Sequence, residues 1–154
     1  MKLLIISHTE HYIDNQGAIV GWGPTLTEIN FLATIFDEVY HIAVLKNVKP
    51  PKSALPYTSK NIHFISLQHT GGKNLHQKLN IIWQAPSTIY KVFKVLHKVD
   101  FFQLRAPTGI GVYLITLLTL FSKKKGWYKY AGNWVQKKPP FGYALQRFFL
   151  KHQT

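Results

Sequence analysis

The chain has 154 residues, 46% of them hydrophobic, enough to bury one substantial core and too few for two. Lysine and arginine total 19 against 6 acids, a formal charge of +13, which favours an anionic partner: nucleic acid, an acidic membrane face or a phosphorylated ligand. The absence of cysteine excludes disulfides and thiolate metal sites.

Met1-Lys2 followed by only four aliphatic residues is not a secretory signal, so a cytoplasmic location is expected. Leu3-Leu4-Ile5-Ile6, bounded by Ser7, reads as a short strand buried on both faces. A loop holding Gly17, Gly21 and Gly23 follows. Thr25-Leu26-Thr27-Glu28 then has the capping-box pattern just after Pro24, and Leu26, Ile29, Leu32, Ala33 and Phe36 recur at helical spacing. Strand, glycine loop and helix start make the first half of a βαβ unit.

Val39 to Leu45 is an apolar, β-branched run that predicts a second strand, at the distance a crossover helix requires. Asn47 to Ser59, with Pro50, Pro51 and Pro56, reads as a surface excursion. Asn61 to Leu67 is a third strand that exits into Gln68-His69-Thr70-Gly71-Gly72. Lys73 to Gln84 is weakly helical and Pro86 interrupts it. Ser87 then reads as the cap of a cleaner helix carrying Ile89, Val92, Phe93 and Leu96. Asp100 to Leu104 is a fourth strand, followed at once by Arg105-Ala106-Pro107-Thr108-Gly109.

The next helix, Ile110 to Ser122, is apolar nearly all round. A membrane span competes for it, with Lys123 to Lys125 as a positive flank. The stretch falls well short of the ~20 residues needed to cross a bilayer, so a buried crossover helix is the better account. Trp127 to Ala131 is a fifth strand with Gly132-Asn133-Trp134 as its exit. Phe141 to His152 is a last helix, apolar through Tyr143, Leu145, Phe148 and Phe149 and charged through Arg147 and Lys151. The alternation predicts a single-domain α/β fold, a parallel sheet with helices on both faces.

In such a sheet four loops converge at the carboxyl edge, where ligands bind. They bring Ser7-His8-Thr9 with the glycine loop, His69 to Gly72, Arg105 to Gly109, and Gly132-Asn133-Trp134. Arg105 is the strongest candidate for gripping a phosphate or carboxylate, since its planar fork binds such groups bidentately. An equal alternative is that Arg105 pairs with a nearby carboxylate such as Asp100 or Glu28. The glycine spacing is not a dinucleotide fingerprint, Lys46 stands where an acid is expected, and no P-loop occurs. His8-Thr9-Glu10-His11 lacks the i, i+4 spacing of a zinc helix, so no metal site is expected. His8 and His69 are candidates for a general base. Trp127, Tyr128, Tyr130 and Trp134 among lysines suggest base stacking, but strand alternation explains them equally, and nucleic-acid binding is the weaker reading.

The order of elements, the glycine loop before a Thr-x-x-Glu helix, and DFFQLRAPTGIGVYLITLL followed by WYKYAGNW resemble the N-terminal domain of GT-B fold glycosyltransferases, specifically the bacterial family-4-like enzymes of polysaccharide biosynthesis. The resemblance covers nearly the whole chain. It implies a Rossmann-like domain that receives a sugar acceptor, facing a second domain that binds the nucleotide sugar, the co-substrate; no other cofactor is implied. By resemblance, Gly17, Gly21 and Gly23 lie near the donor phosphates, and Arg105 and Asn133 line the acceptor side. The donor-domain Glu-x7-Glu motif is absent and the chain stops at Thr154, so residues 1–154 are expected to be half of a GT-B architecture. They would be incomplete alone, and completed by a C-terminal donor domain or a separate subunit. No catalytic residue is assigned. The resemblance also implies a lipid-linked acceptor and peripheral contact with the inner membrane face, for which Arg147 and Lys151 are the candidates. The reading from a different class is a non-catalytic α/β binding module for a phosphorylated or nucleotide ligand.

Overall fold

The computed structural model describes residues 1–68 and 80–152. Its framework is a seven-stranded sheet. Five strands are mutually parallel: β1 (Lys2–Ile13), β3 (Glu38–Leu45), β5 (Ile62–Leu67), β6 (Phe101–Ala106) and β7 (Lys125–Tyr130). They lie side by side as β5-β3-β1-β6-β7, so the chain runs outward from β1 in one direction and then returns to run outward in the other. The sheet is mixed rather than wholly parallel, because β2 (Ile19–Trp22) and β4 (Ala54–Pro56) add an antiparallel extension to the far half of β1. Among the described residues four helices accompany it: α1 (Gly23–Leu32), α2 (Ala85–Leu96), α3 (Gly111–Phe121) and α4 (Phe141–Lys151), with a further helical turn at 80–83.

The period-two alternation of strands distributes β1 between two cores. Leu4 and Ile6 point to one face and pack with Val92, Leu96, Leu114, Ile115 and Leu118 of α2 and α3. Leu3 and Ile5 point to the other, where they cluster with Ile29 of α1, Ala33 just past its end and Val39 of the neighbouring β3. Helices therefore cover both faces. Among the described residues no helix is long and apolar enough to cross a membrane; α3 is an inward-packed crossover helix.

Several sequence expectations change. The first strand does not stop at Ser7: β1 continues to Ile13 past a bulge between Ile6 and Glu10. The predicted glycine loop is instead a hairpin, β1 pairing antiparallel with β2 through His11–Gly21 to Ile13–Ile19. Asp14 closes its turn by accepting the Gln16 and Ala18 backbone N–H groups, and Gly17 takes the left-handed conformation there, φ +79°. Thr25 and Glu28 form no capping box, since α1 already begins at Gly23 with Pro24 in its first turn. Likewise Ser87 does not cap α2, which begins at Ala85 with Pro86 in its first turn. Both shifts have one cause: proline's fixed φ and missing N–H suit the first turn, so each helix starts ahead of its proline. The proline-rich excursion also contributes a strand, β4, placed at a sheet edge where Pro56 is tolerated.

Helix α4 is turned differently from its predicted stripe. Phe148 is exposed while Gln146 is completely buried. The predicted segment Lys73 to Gln84 lies mostly outside the described residues.

Candidate functional site

A cleft of about 1160 Å³ opens at the carboxyl ends of β1, β6 and β7. Its floor is Ser7, His8 and Thr9 from the bulged part of β1 and Arg105 and Ala106 from β6. One wall is Trp22 and Thr25 at the start of α1; the other is Pro140 to Tyr143 and Gln146 of α4, with Ala131 and Gly132 after β7. Pro107, Thr108 and Gly109 connect floor to wall, across a cis Ala106–Pro107 peptide. Three helices, α1, α3 and α4, begin at this cleft, and none has an acid in its first turn. Each helix start carries roughly half a positive charge. Glu10 is the one carboxylate among the described lining residues, and Lys46 lies 2.5 Å from it. The cleft is electropositive.

Arg105 occupies the centre of this field. Its Nη1 donates to Thr25 Oγ1 at 3.0 Å, its Nε donates to Gln103 Oε1 at 3.3 Å, and its Nη2 lies 2.9 Å from Glu28 Oε2. The carboxylate alternative raised by the sequence is thus realised with Glu28, while Asp100 instead accepts the Lys2 backbone N–H. Glu28 also receives Lys129, 2.5 Å away. Burial alone would raise the Glu28 carboxyl; the hydrogen bond from Lys129 and the charge of Arg105 outweigh it and hold the group below its usual range. Two cations share one carboxylate, so positive charge remains at the cleft floor. Thr25 and Glu28 can face Arg105 because the helix starts two residues before Thr25, leaving both side chains free of capping.

Beneath the floor runs a buried polar chain that spacing alone did not reveal. Ser7 Oγ is 2.8 Å from His41 Nε2, His41 Nδ1 is 2.6 Å from the Tyr57 hydroxyl, and that hydroxyl is 2.9 Å from His11 Nε2. His11 Nδ1 ends the chain 3.0 Å from the Thr9 carbonyl. Burial pushes His11 down to about 4. It pushes His41 well below the ordinary histidine value, with His11 and Arg105 adding repulsion. Both rings are therefore neutral near pH 7, and the proton positions follow from the carbonyl, which only accepts. His11 Nδ1–H donates to Thr9, Tyr57 O–H donates to His11, His41 Nδ1–H donates to Tyr57, and Ser7 O–H donates to His41. Ser7 also accepts the Thr9 N–H at 3.3 Å. The available signal was a histidine inside a β-branched strand run, since a buried imidazole needs partners at both nitrogens.

Gln146 is a second unforeseen element. Its Nε2 donates to the Thr108 and Gly142 carbonyls at 2.9 and 3.0 Å, and its Oε1 accepts the Thr108 N–H at 3.1 Å. This amide clamps α4 onto the loop that follows Arg105.

Of the predicted site residues, Arg105 lines the cleft and Gly17, Gly21 and Gly23 do not. Gly17 serves the hairpin turn. Gly21 makes room for the His11 ring, from which a Cβ there would be only 2.6 Å. Asn133 adjoins the lining residues Ala131 and Gly132, and its side chain accepts the Val135 N–H at 3.1 Å. His8 lines the cleft; His69 lies outside the described residues. Arg147 donates to the carbonyls of Trp134 and Gln136, and Lys151 is exposed at the end of α4. Among the described residues no group of three or more His, Cys, Asp or Glu is placed to hold a metal ion.

The chain matches no protein-family model and no curated protein sequence.

Proposed function

We propose that this chain is the acceptor-side, Rossmann-like domain of a sugar-nucleotide-dependent glycosyltransferase of the GT-B kind. The observation that carries the reading is the electropositive cleft at the carboxyl ends of β1, β6 and β7, with Arg105 on its floor and three helix starts around it. The order of the parallel strands supports it: β1 is central and the chain direction reverses beside it, the place where α/β folds of this topology bind nucleotide or phosphate ligands. A cleft of this size accommodates a sugar together with a phosphate group. In this reading the donor nucleotide sugar is held by a second domain across the cleft, and the present chain supplies the acceptor floor.

A second reading is a non-catalytic module for a phosphorylated or nucleotide ligand. The Arg105–Glu28–Lys129 cluster favours it, because these groups hold one another and none is placed as a general base. Calorimetric titration with a nucleoside diphosphate, a nucleotide sugar and inorganic pyrophosphate, paired with a sugar-transfer assay in the presence of a donor-binding domain, separates the two. Transfer that an Arg105→Met variant loses is the expected result. Ligand binding without transfer selects the binding module, and binding of none of these ligands overturns both.

A further inference from the structure

The polar chain beneath the cleft floor begins at a hydroxyl that faces the cleft. Ser7 is nearly closed to bulk solvent, yet it forms part of the floor, so a molecule in the cleft meets its Oγ. That oxygen lies 2.8 Å from His41 Nε2, within reach of a base. The Tyr57 hydroxyl, 2.6 Å from His41 Nδ1, fixes the ring as the tautomer whose Nε2 accepts. Nucleophile, base and orienting group thus stand in the relation that activates a serine. Satisfying the buried rings accounts for the hydrogen bonds. It does not account for the chain opening on the cleft through a serine.

His41 by itself would be a poor base. It is fully buried, its partners are hydroxyls instead of a carboxylate, and the charge of Arg105 opposes its protonation. The alignment of the chain removes this obstacle. Every donor points the same way, from Ser7 through His41 and Tyr57 to His11, because the Thr9 carbonyl at the far end accepts only. As Ser7 gives its proton to His41 Nε2, the His41 Nδ1 proton passes to Tyr57 and the Tyr57 proton to His11 Nε2. His41 stays neutral and the positive charge arises on His11, where the Thr9 and Val44 carbonyls favour the charged ring.

We propose that Ser7 is a nucleophile for acyl transfer, hydrolysing carboxylic esters whose alcohol part carries an anionic group. Arg105 and the helix starts around the cleft hold the anion. The Thr9 N–H, 3.3 Å from Ser7 Oγ, stands beside the oxygen on which negative charge develops. Oγ bonds to the ester carbon as its proton enters the chain. The carbon–oxygen bond to the alcohol then breaks, and His41 Nε2 returns a proton to the departing oxygen. Water attacks the acyl carbon next, its proton taking the same path and coming back to Ser7 as the carboxylic acid leaves. Ester and water are consumed, acid and alcohol are formed, and no other reactant is needed. The activity is separate from sugar transfer, so it is measured on this chain without a donor domain.

The test is incubation of the full chain with the acetyl ester of para-hydroxybenzenesulfonate, which is anionic, and with phenyl acetate, which is neutral. Acid-quenched peptide mapping should find an acetyl group on Ser7, and phenol release should exceed the spontaneous rate. Relative to spontaneous hydrolysis, kcat/KM should be about tenfold higher for the sulfonate, the worth of one charge-assisted hydrogen bond. Arg105→Met should abolish that preference. Ser7→Ala should lose both adduct and turnover, while Ser7→Cys should still be acylated. In mixtures of light and heavy water the acylation rate should fall along a curve, because several protons move together. In Tyr57→Phe, which cuts the chain after His41, the dependence should become linear; a purely structural tyrosine would leave its shape unchanged. The proposal is overturned if the folded parent chain carries no acetyl group on Ser7, if acetylation is confined to lysines, or if Ser7→Ala turns over both esters at the parent rate.

Discussion

Arg105 Nη2 lies 2.9 Å from Glu28 Oε2, an ion pair that joins the end of β6 to the first helix of the chain. The arginine side chain is 14% exposed and the glutamate 29%, so the pair is sheltered without being dry. Lys129 from β7 shares the same carboxylate. The arrangement holds Arg105 at the cleft floor while leaving the site a positive excess.

Replacing Glu28 with Gln should therefore have opposite effects on fold and ligand. Two cations lose their shared anion, and the unfolding free energy should fall by about 1–3 kcal/mol, less than for a fully buried pair because water reaches it. Affinity for inorganic pyrophosphate should rise, since the competing carboxylate is gone. Urea unfolding and calorimetric titration on the same preparation check both.

Tyr57→Phe removes one hydroxyl and strands two buried groups, the His41 Nδ1–H donor and the His11 Nε2 acceptor. Unsatisfied groups of this kind cost about 1–3 kcal/mol each. A loss of about 2–4 kcal/mol in urea unfolding is expected. Hydrogen exchange should be fastest to change in the connection from β3 to β5, which Tyr57 ties to the sheet.

The same network makes stability depend on pH. Burial depresses His11 from its ordinary value near 6.5 to about 4, and depresses His41 as well. The unfolded chain thus binds more protons than the folded one between these limits, so stability falls as pH falls through that window. Above the ordinary histidine value the contribution is fully present. His11 alone should account for about 3 kcal/mol between pH 7 and pH 4, read from denaturant unfolding at a series of pH values. Replacing His11 with Gln should flatten the slope.

Gly21→Ala places a methyl group 2.6 Å from His11 Cδ2 and from Leu26 Cδ2. The ring cannot retreat without breaking its bonds to Thr9 and Tyr57, so overpacking should cost about 1–3 kcal/mol. A lowered thermal midpoint with displaced His11 ring resonances in NMR spectra is the expected outcome.

Gln146→Leu keeps the volume but leaves the Thr108 N–H and carbonyl without their amide partner. Destabilisation of about 2 kcal/mol is expected, together with faster proteolysis in the segment between β7 and α4.

Much of the framework was legible from local patterns. The apolar, β-branched runs at Val39 to Leu45 and Asn61 to Leu67 read as strands, and β3, buried on both faces, has the cleaner signal of the two. The apolar stripe beginning at Leu26 read as a helix by its periodicity, although the helix ends at Leu32 and Ala33 to Phe36 form turns instead. The far half of β1 was not legible. Ser7 to His11 are polar, and the burial of Ser7 and His11 among them is made possible by His41 of β3 and Tyr57 of the β3–β5 connection. The starts of α1 and α2 were misplaced because Thr25 and Ser87 are good caps in isolation, while Pro24 and Pro86 are better first-turn residues in context.

The candidate site divides in the same way. Sequence alone determined an α/β chain with a strong positive charge, and it marked Arg105 at the end of a buried strand, because those properties follow from composition and from periodicity within a single element. Only the tertiary structure decided what Arg105 touches, that Gly17 and Gly21 belong to a hairpin while Gly23 starts α1, and that His11, His41 and Tyr57 form one chain with Ser7. Each of these depends on side chains brought together from distant strands. Hydrogen bonds and ion pairs between such groups are directional and short in range, so they exist only once the sheet has set its register.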